Sequence, residues 1–159
     1  MTLDKFTIKA QEAIQQAVSI AQQGGQQSIE PVHLLKGITA KSKDITNFLF
    51  RKLGVNVNHI ELLLEQEIQH LPRVQGGEPY LSNESNRVLQ EAVNISQKLG
   101  DEFVSIEPVL LALLTIGSTA SRIMKDAGIS EKDMRAAIAE LRQGQKVQSQ
   151  SADENYQSL

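Results

Sequence analysis

Two short stretches of this chain are nearly identical: SIEPVHLL at 28–35 and, 77 residues later, SIEPVLLA at 105–112. Their surroundings repeat as well. A shift of 75 lays AIQQAVSIAQQGG (13–25) on VLQEAVNISQKLG (88–100), so that Ala17 meets Ala92, Val18 Val93, Ile20 Ile95 and Gly25 Gly100. Thr7 then falls on Ser82, and at a shift of 74 LGVN (53–56) falls on AGIS (127–130). Matches in the same order along the whole chain mean that one supersecondary unit is written twice. At 159 residues the chain is long enough for one real core and too short for two ordinary independent domains. The two units are therefore expected to share one fold, related by an approximate two-fold.

Each unit reads as four helices. The first begins after a side-chain N-cap (Thr7, Ser82), carries an apolar stripe such as Ile14, Val18 and Ala21, and stops at glycine. The Glu-Pro of the repeated phrase reads as a helix start. Proline lacks the N–H that would go unpaired in the first turn, and glutamate complements the positive end of the helix dipole. Third helices follow from Asp44 and from Ser118, and fourth helices from Asn56, with Ile60, Leu63, Leu64 and Ile68, and from Ser130. Ser130 with Asp133 resembles a capping box. No stretch alternates apolar and polar residues, so the fold class is all-α, two tandem four-helix repeats and no sheet. The boundaries place repeat one at about 6–71, an exposed linker at about 72–80, where glycine and proline gather, and repeat two at about 81–143. Residues 144–159, GQKVQSQSADENYQSL, have almost nothing to bury and are expected to form a flexible tail.

Composition narrows the chemistry. Only four Phe, two Tyr and no Trp are present, so the core is aliphatic, and the net charge of −3 provides no broad footprint for nucleic acid. There is no cysteine, which removes disulfides, thiolate metal sites and thiol catalysis. No apolar run has the length of a membrane span or the pattern of a signal peptide, which points to a cytoplasmic protein, and the sequons at Asn83 and Asn94 then carry little meaning. No phosphate-cradling loop and no His-Glu-x-x-His occur, so no catalytic residue, metal site or cofactor is expected here. His33 lies among leucines and reads as a partly buried packing residue, not a ligand. Glu30 and Glu107 could be imagined as an acid–base pair, but their matching places favour helix starts. Lys41, Lys43, Arg51 and Lys52 read as a solvated helix face.

The paired units, with IEPVHLL in the first, QKLGDEFVS (97–105) in the second, the opening MTLDKFT, the linker LPRVQG (71–76) and the closing GQKV, resemble the Clp repeat N-terminal domain over essentially the whole chain. Within that family the resemblance is to the disaggregase branch. It implies a substrate-recruitment domain for a homohexameric AAA+ ATPase that uses ATP and Mg and works with the DnaK chaperone system on aggregated or unfolded polypeptides. The ATPase modules would follow this segment, which by itself is expected to be a monomer and not an enzyme. The residues tied to chaperone activity in the family fall on Thr7, Asp101 and Glu107. Its apolar groove positions fall on Glu91, Ile95 and Pro108, Glu91 standing where the pattern has an apolar residue, with Leu89, Leu99 and Phe103 as neighbours. The alternatives are an adaptor-docking domain, as in the protease-linked branch, and a hydrolase with an unfamiliar site.

Overall fold

The computed structural model describes residues 2–156, with the side chain of Asn155 excepted. Eight α-helices occupy most of it: α1 (Ile8–Gln23), α2 (Pro31–Lys41), α3 (Lys43–Lys52) and α4 (Val57–Gln69) in the first unit, then α5 (Asn83–Lys98), α6 (Ile106–Thr115), α7 (Thr119–Asp126) and α8 (Glu131–Arg142) in the second. The starts are set by local chemistry. Thr7, Asn56, Ser82, Ser118 and Ser130 each accept a backbone N–H of the following turn through a side-chain oxygen. Ser130 with Asp133 is not reciprocal. The capping boxes are instead Ser118 with Ser121 and Glu30 with His33. At the end of α1 the chain turns on Gly25, whose φ of 73° is left-handed.

The repeated phrase opens the two central helices. Eight of the eleven residues of α2 are buried, and nine of the ten in α6. A helix that is apolar on every side belongs in the middle of a core. Around them α1, α4, α5, α7 and α8 bury one stripe each, and α2 touches α5, α6 and α7 of the other unit, so one continuous core runs through both repeats. Gly37 on α2 lets α1 come close: a Cβ there would collide with the carbonyl of Ala13 and press on Ala17. No single helix among the described residues is long and apolar enough to cross a membrane.

Two features differ from the sequence expectation. A small sheet exists. β1 (Ser28–Ile29) pairs in parallel with β2 (Tyr80–Leu81), and Phe6 makes a lone parallel bridge with Val104. The chain entering the first helix of each unit thus pairs with the chain entering the second helix of the other unit. This reciprocal exchange ties the repeats together, through Tyr80 N–H to Gln27 O and Ser82 N–H to Ile29 O on one side, and Thr7 N–H to Val104 O and Val104 N–H to Lys5 O on the other. Two-residue strands have no alternation to read, which is why the pattern missed them.

The second difference is the tail. Its described part is docked on the second unit and on the start of α1. Val147, Asp153 and Tyr156 are buried, and a 3-10 turn covers Ala152–Asn155. Polar bonds and two apolar side chains hold this segment, so composition alone misjudged it. Residues 157–159 lie outside the described residues.

Candidate functional site

The two copies of the phrase begin alike and are wired differently. In the first unit, Glu30 caps α2 and its backbone N–H donates to His33 Nδ1 at 2.8 Å. That leaves Nε2 to donate to Gln26 Oε1, 3.1 Å away, while Gln26 Nε2 donates to the carbonyls of Gly24 and Ile68. His33 is fully buried, and burial, against the pull of Glu30, lowers its pKa. The ring is a neutral structural link, in line with the packing role read from sequence.

In the second unit the equivalent places hold charge. Asp101 stands where Gln26 does and Glu107 where Glu30 does. Arg142 takes the place of Ile68. Arg142 is only 5% exposed and Glu107 0%. The guanidinium donates from Nε to Glu107 Oε2 at 2.9 Å, from Nη1 to Asp101 Oδ1 at 3.0 Å and from Nη2 to Ser105 Oγ at 3.0 Å. Glu107 Oε2 also accepts from Ser105 Oγ at 3.1 Å and from the Tyr156 hydroxyl at 2.7 Å. Burial opposes the charge on Arg142, but Glu107 and Asp101 outweigh it and its pKa is raised. Tyr156 is pushed up by burial and by Glu107, so it stays a donor. Thr7 joins from the other unit: it caps α1 and donates to Asp153 Oδ2 at 2.7 Å. Glu107 is therefore a hub of a buried ionic network, more than the dipole partner that its place in the sequence suggested. Its helix starts at Ile106, one residue before it.

Thr7, Asp101 and Glu107 are thus brought into one connected neighbourhood. The apolar residues divide. Ile95, Leu99 and Pro108 line a pocket of about 100 Å³ with Leu111, Ile138, Ala139, Arg135 and Arg142. Phe103 and Glu91 are half-buried and do not line it, and Glu91 accepts from Asn94 at 3.3 Å. Leu89 is 0% exposed: with Val88, Ala92 and Ile95 it forms the core stripe of α5, so it offers no surface. Leu111 and Ile138 line the hollow in its stead, each, like Ile95, no more than 5% exposed. A larger hollow of about 230 Å³ between the repeats is walled by Glu30, Glu67 and Glu84 and is the more polar of the two.

Sequence reasoning missed Arg142, Tyr156 and Asp153. Arg142 was findable, because a cation at the place of Ile68 breaks the repeat; the other two sit in a segment with no pattern at all.

The model of the Clp repeat (R) N-terminal domain matches residues 5–127. The chain belongs to this family. Over all 159 residues it is 56% identical to the chaperone protein ClpB of Bacteroides thetaiotaomicron and 47% identical to that of Porphyromonas gingivalis, in each case across 18% of the relative's length. The chain therefore spans under a fifth of these relatives and matches their N-terminal region. The N-terminal domain of Hsp104 from Candida albicans superposes with a TM-score of 0.83 at 26% identity, over 94% of this chain and 99% of that one. The double four-helix Clp repeat is thereby the fold of this domain.

Proposed function

We propose that this Clp repeat domain recruits non-native polypeptide for a ring ATPase of the disaggregase type, and that the groove between α5, α6 and α8 is the recruiting face. The observation that carries the reading is the groove's lining: Ile95, Leu99, Pro108, Leu111, Ile138 and Ala139 are apolar and meet at one surface hollow. A shallow apolar hollow of this size takes one or two side chains of an extended segment, which gives weak binding. Several copies on one assembly strengthen weak binding through effective concentration. The ionic network behind Pro108 fixes the entry of α6 and with it one wall of the groove. ATP and Mg, the hexamer and the DnaK system belong to the longer proteins of this kind, and we extend them to the parent of this domain on family membership. The domain itself carries out no chemistry.

Leu99, the C-cap residue of α5, is half-buried and lines the hollow, so Leu99→Glu is the direct test. A permanently unfolded model protein should bind the parent domain weakly and the variant at least tenfold more weakly, with the helical circular dichroism unchanged. Unaltered binding in the variant would remove the groove from the reading. Binding of a folded adaptor alone, and of no unfolded chain, would replace recruitment by adaptor docking.

A further inference from the structure

The segment after α8 turns back on itself. Gln143 and Gly144 are consecutive left-handed residues, with φ of 49° and 84°, and they reverse the chain at the end of α8. From there the chain crosses from the second unit to the first. Val147 donates its N–H to Asp101 Oδ1 at 3.0 Å, and its carbonyl accepts from Glu102 at 2.8 Å. Gln150 accepts the free N–H of Ile8, at the start of α1, through its carbonyl at 2.8 Å, and its side chain donates to the Asp4 carbonyl. Asp153 then meets Thr7 and Tyr156 meets Glu107.

We propose that residues 145–156 are a releasable strap that closes over the starts of α1 and α6, with Asp153 and Tyr156 as its catches, and that its release alters the groove through the Glu107–Arg142 pair. Three observations support this. The strap buries few apolar side chains, chiefly Val147 and Tyr156, and is otherwise held by polar bonds that water replaces at little net cost. Docking also sets a further buried carboxylate near Glu107: Asp153 takes its side-chain hydrogen bond from Thr7 and feels the charge of Glu107, while Arg142 pairs with Asp101 and Glu107. Glu107 Oε1 and Asp153 Oδ1 are buried and have no hydrogen-bond partner among the described residues, so neither carboxylate is fully compensated. Finally, Tyr156 and Arg142 share the same oxygen of Glu107, and Arg142 is a wall of the groove.

The catch at Asp153 responds to protons. Burial, opposed by the Thr7 bond and reinforced by Glu107, raises its pKa from 3.8 to about 6. The charged groups around it are Glu107 on α6, which Arg142 of α8 pairs with, and Lys9 on α1, which favours the ionised form. The docked strap thus holds the proton more tightly than the free one. Docking is strongest below the free value, weakens as pH rises towards 6, and stays weak above it. Between pH 5 and 7.5 the docking equilibrium should fall by about tenfold.

The test uses the whole 159-residue chain, isotope-labelled, and needs no binding partner, so it stands apart from the proposed recruitment. Backbone relaxation of residues 148–154 measures the free population at pH 5 and 7.5. The parent should show about tenfold more free strap at the higher pH. Asp153→Asn should hold the population constant across that range, and Tyr156→Phe should raise it at both values. The Arg142 Nε–H resonance should move in proportion, while amides of α6 keep their protection. An equal free population at both pH values in the parent would overturn the proposal. So would an Arg142 resonance indifferent to the strap, or loss of α6 protection together with it, which would mean global unfolding.

Discussion

Replacing the same residue in the two copies of the phrase separates a helix-start role from a network role. Glu107→Gln is nearly isosteric and removes the charge from the oxygen that Arg142, Tyr156 and Ser105 all reach. Both Arg142 and Glu107 are buried, so solvent screens the pair little. Removing one partner of a buried pair costs about 3–5 kcal/mol, and Asp101 stays on the guanidinium, which puts the expected loss near the lower bound, about 3 kcal/mol. Glu30 is half-buried, and its side chain accepts from Ser28 Oγ at 2.8 Å and from the first turn of α2, with no ion pair among the described residues. Glu30→Gln should cost about 0.3–1 kcal/mol, the scale of a dipole and cap interaction. Urea unfolding followed by circular dichroism measures both. Taking a slope of about 2 kcal/mol per M, the midpoint should fall by about 1.5 M for Glu107→Gln and by less than about 0.5 M for Glu30→Gln, with the slope unchanged. Equal midpoints for the two variants, or a Glu107→Gln loss under about 1 kcal/mol, would refute the network argument and return both residues to simple helix starts.

Three further outcomes are expected. Gly37→Ala should destabilise the domain by about 1–3 kcal/mol in the same assay, because the new methyl meets the Ala13 carbonyl and α1 must move away from α2. The His33 ring should titrate below its ordinary 6.5 when followed by NMR, since burial disfavours its cation and Nδ1 is already occupied by the Glu30 N–H. Its folded pKa being lowered, its contribution to stability is complete above 6.5 and declines as pH falls below that, and replacing His33 by Gln should flatten this part of the pH dependence. Lys52→Ala should change stability by less than about 0.5 kcal/mol, because its pair with Glu140 at 3.0 Å joins two side chains that are each half or more exposed.

Much of this fold was legible because its determinants are local. Thr7, Asn56, Ser82, Ser118 and Ser130 act on the turn after them, and the repeat fixed the number of helices and their order. Pairings between units leave no such local trace. The parallel contacts of β1 with β2 and of Phe6 with Val104 join residues roughly 50 to 100 positions apart, over lengths too short for any period. Docking of the tail was hidden for another reason: Asp153 and Tyr156 are held by Thr7, the N-cap of α1, and by Glu107 of α6, and a hydropathy reading counts them only as polar or isolated.

The site was legible in part. Glu107 and Asp101 stood out by resemblance; Arg142 was missed, although its departure from Ile68 in the repeat marks it. Leu89 was legible as core, because its equivalent in the repeat, Ile14, lies on the apolar stripe of α1 and is buried as well. Ile138 and Leu111 enter the groove only because α8 crosses beside α6, which no local pattern encodes.

Methyl-labelled domain titrated with a permanently unfolded protein decides whether the groove between α5, α6 and α8 is the recruiting face. Graded shifts are expected at Ile95, Leu99, Leu111 and Ile138, with Leu63 and Ile60 of α4 still. Shifts confined to the face of Lys41, Lys43, Arg51 and Lys52, with the groove methyls unmoved, would contradict that role.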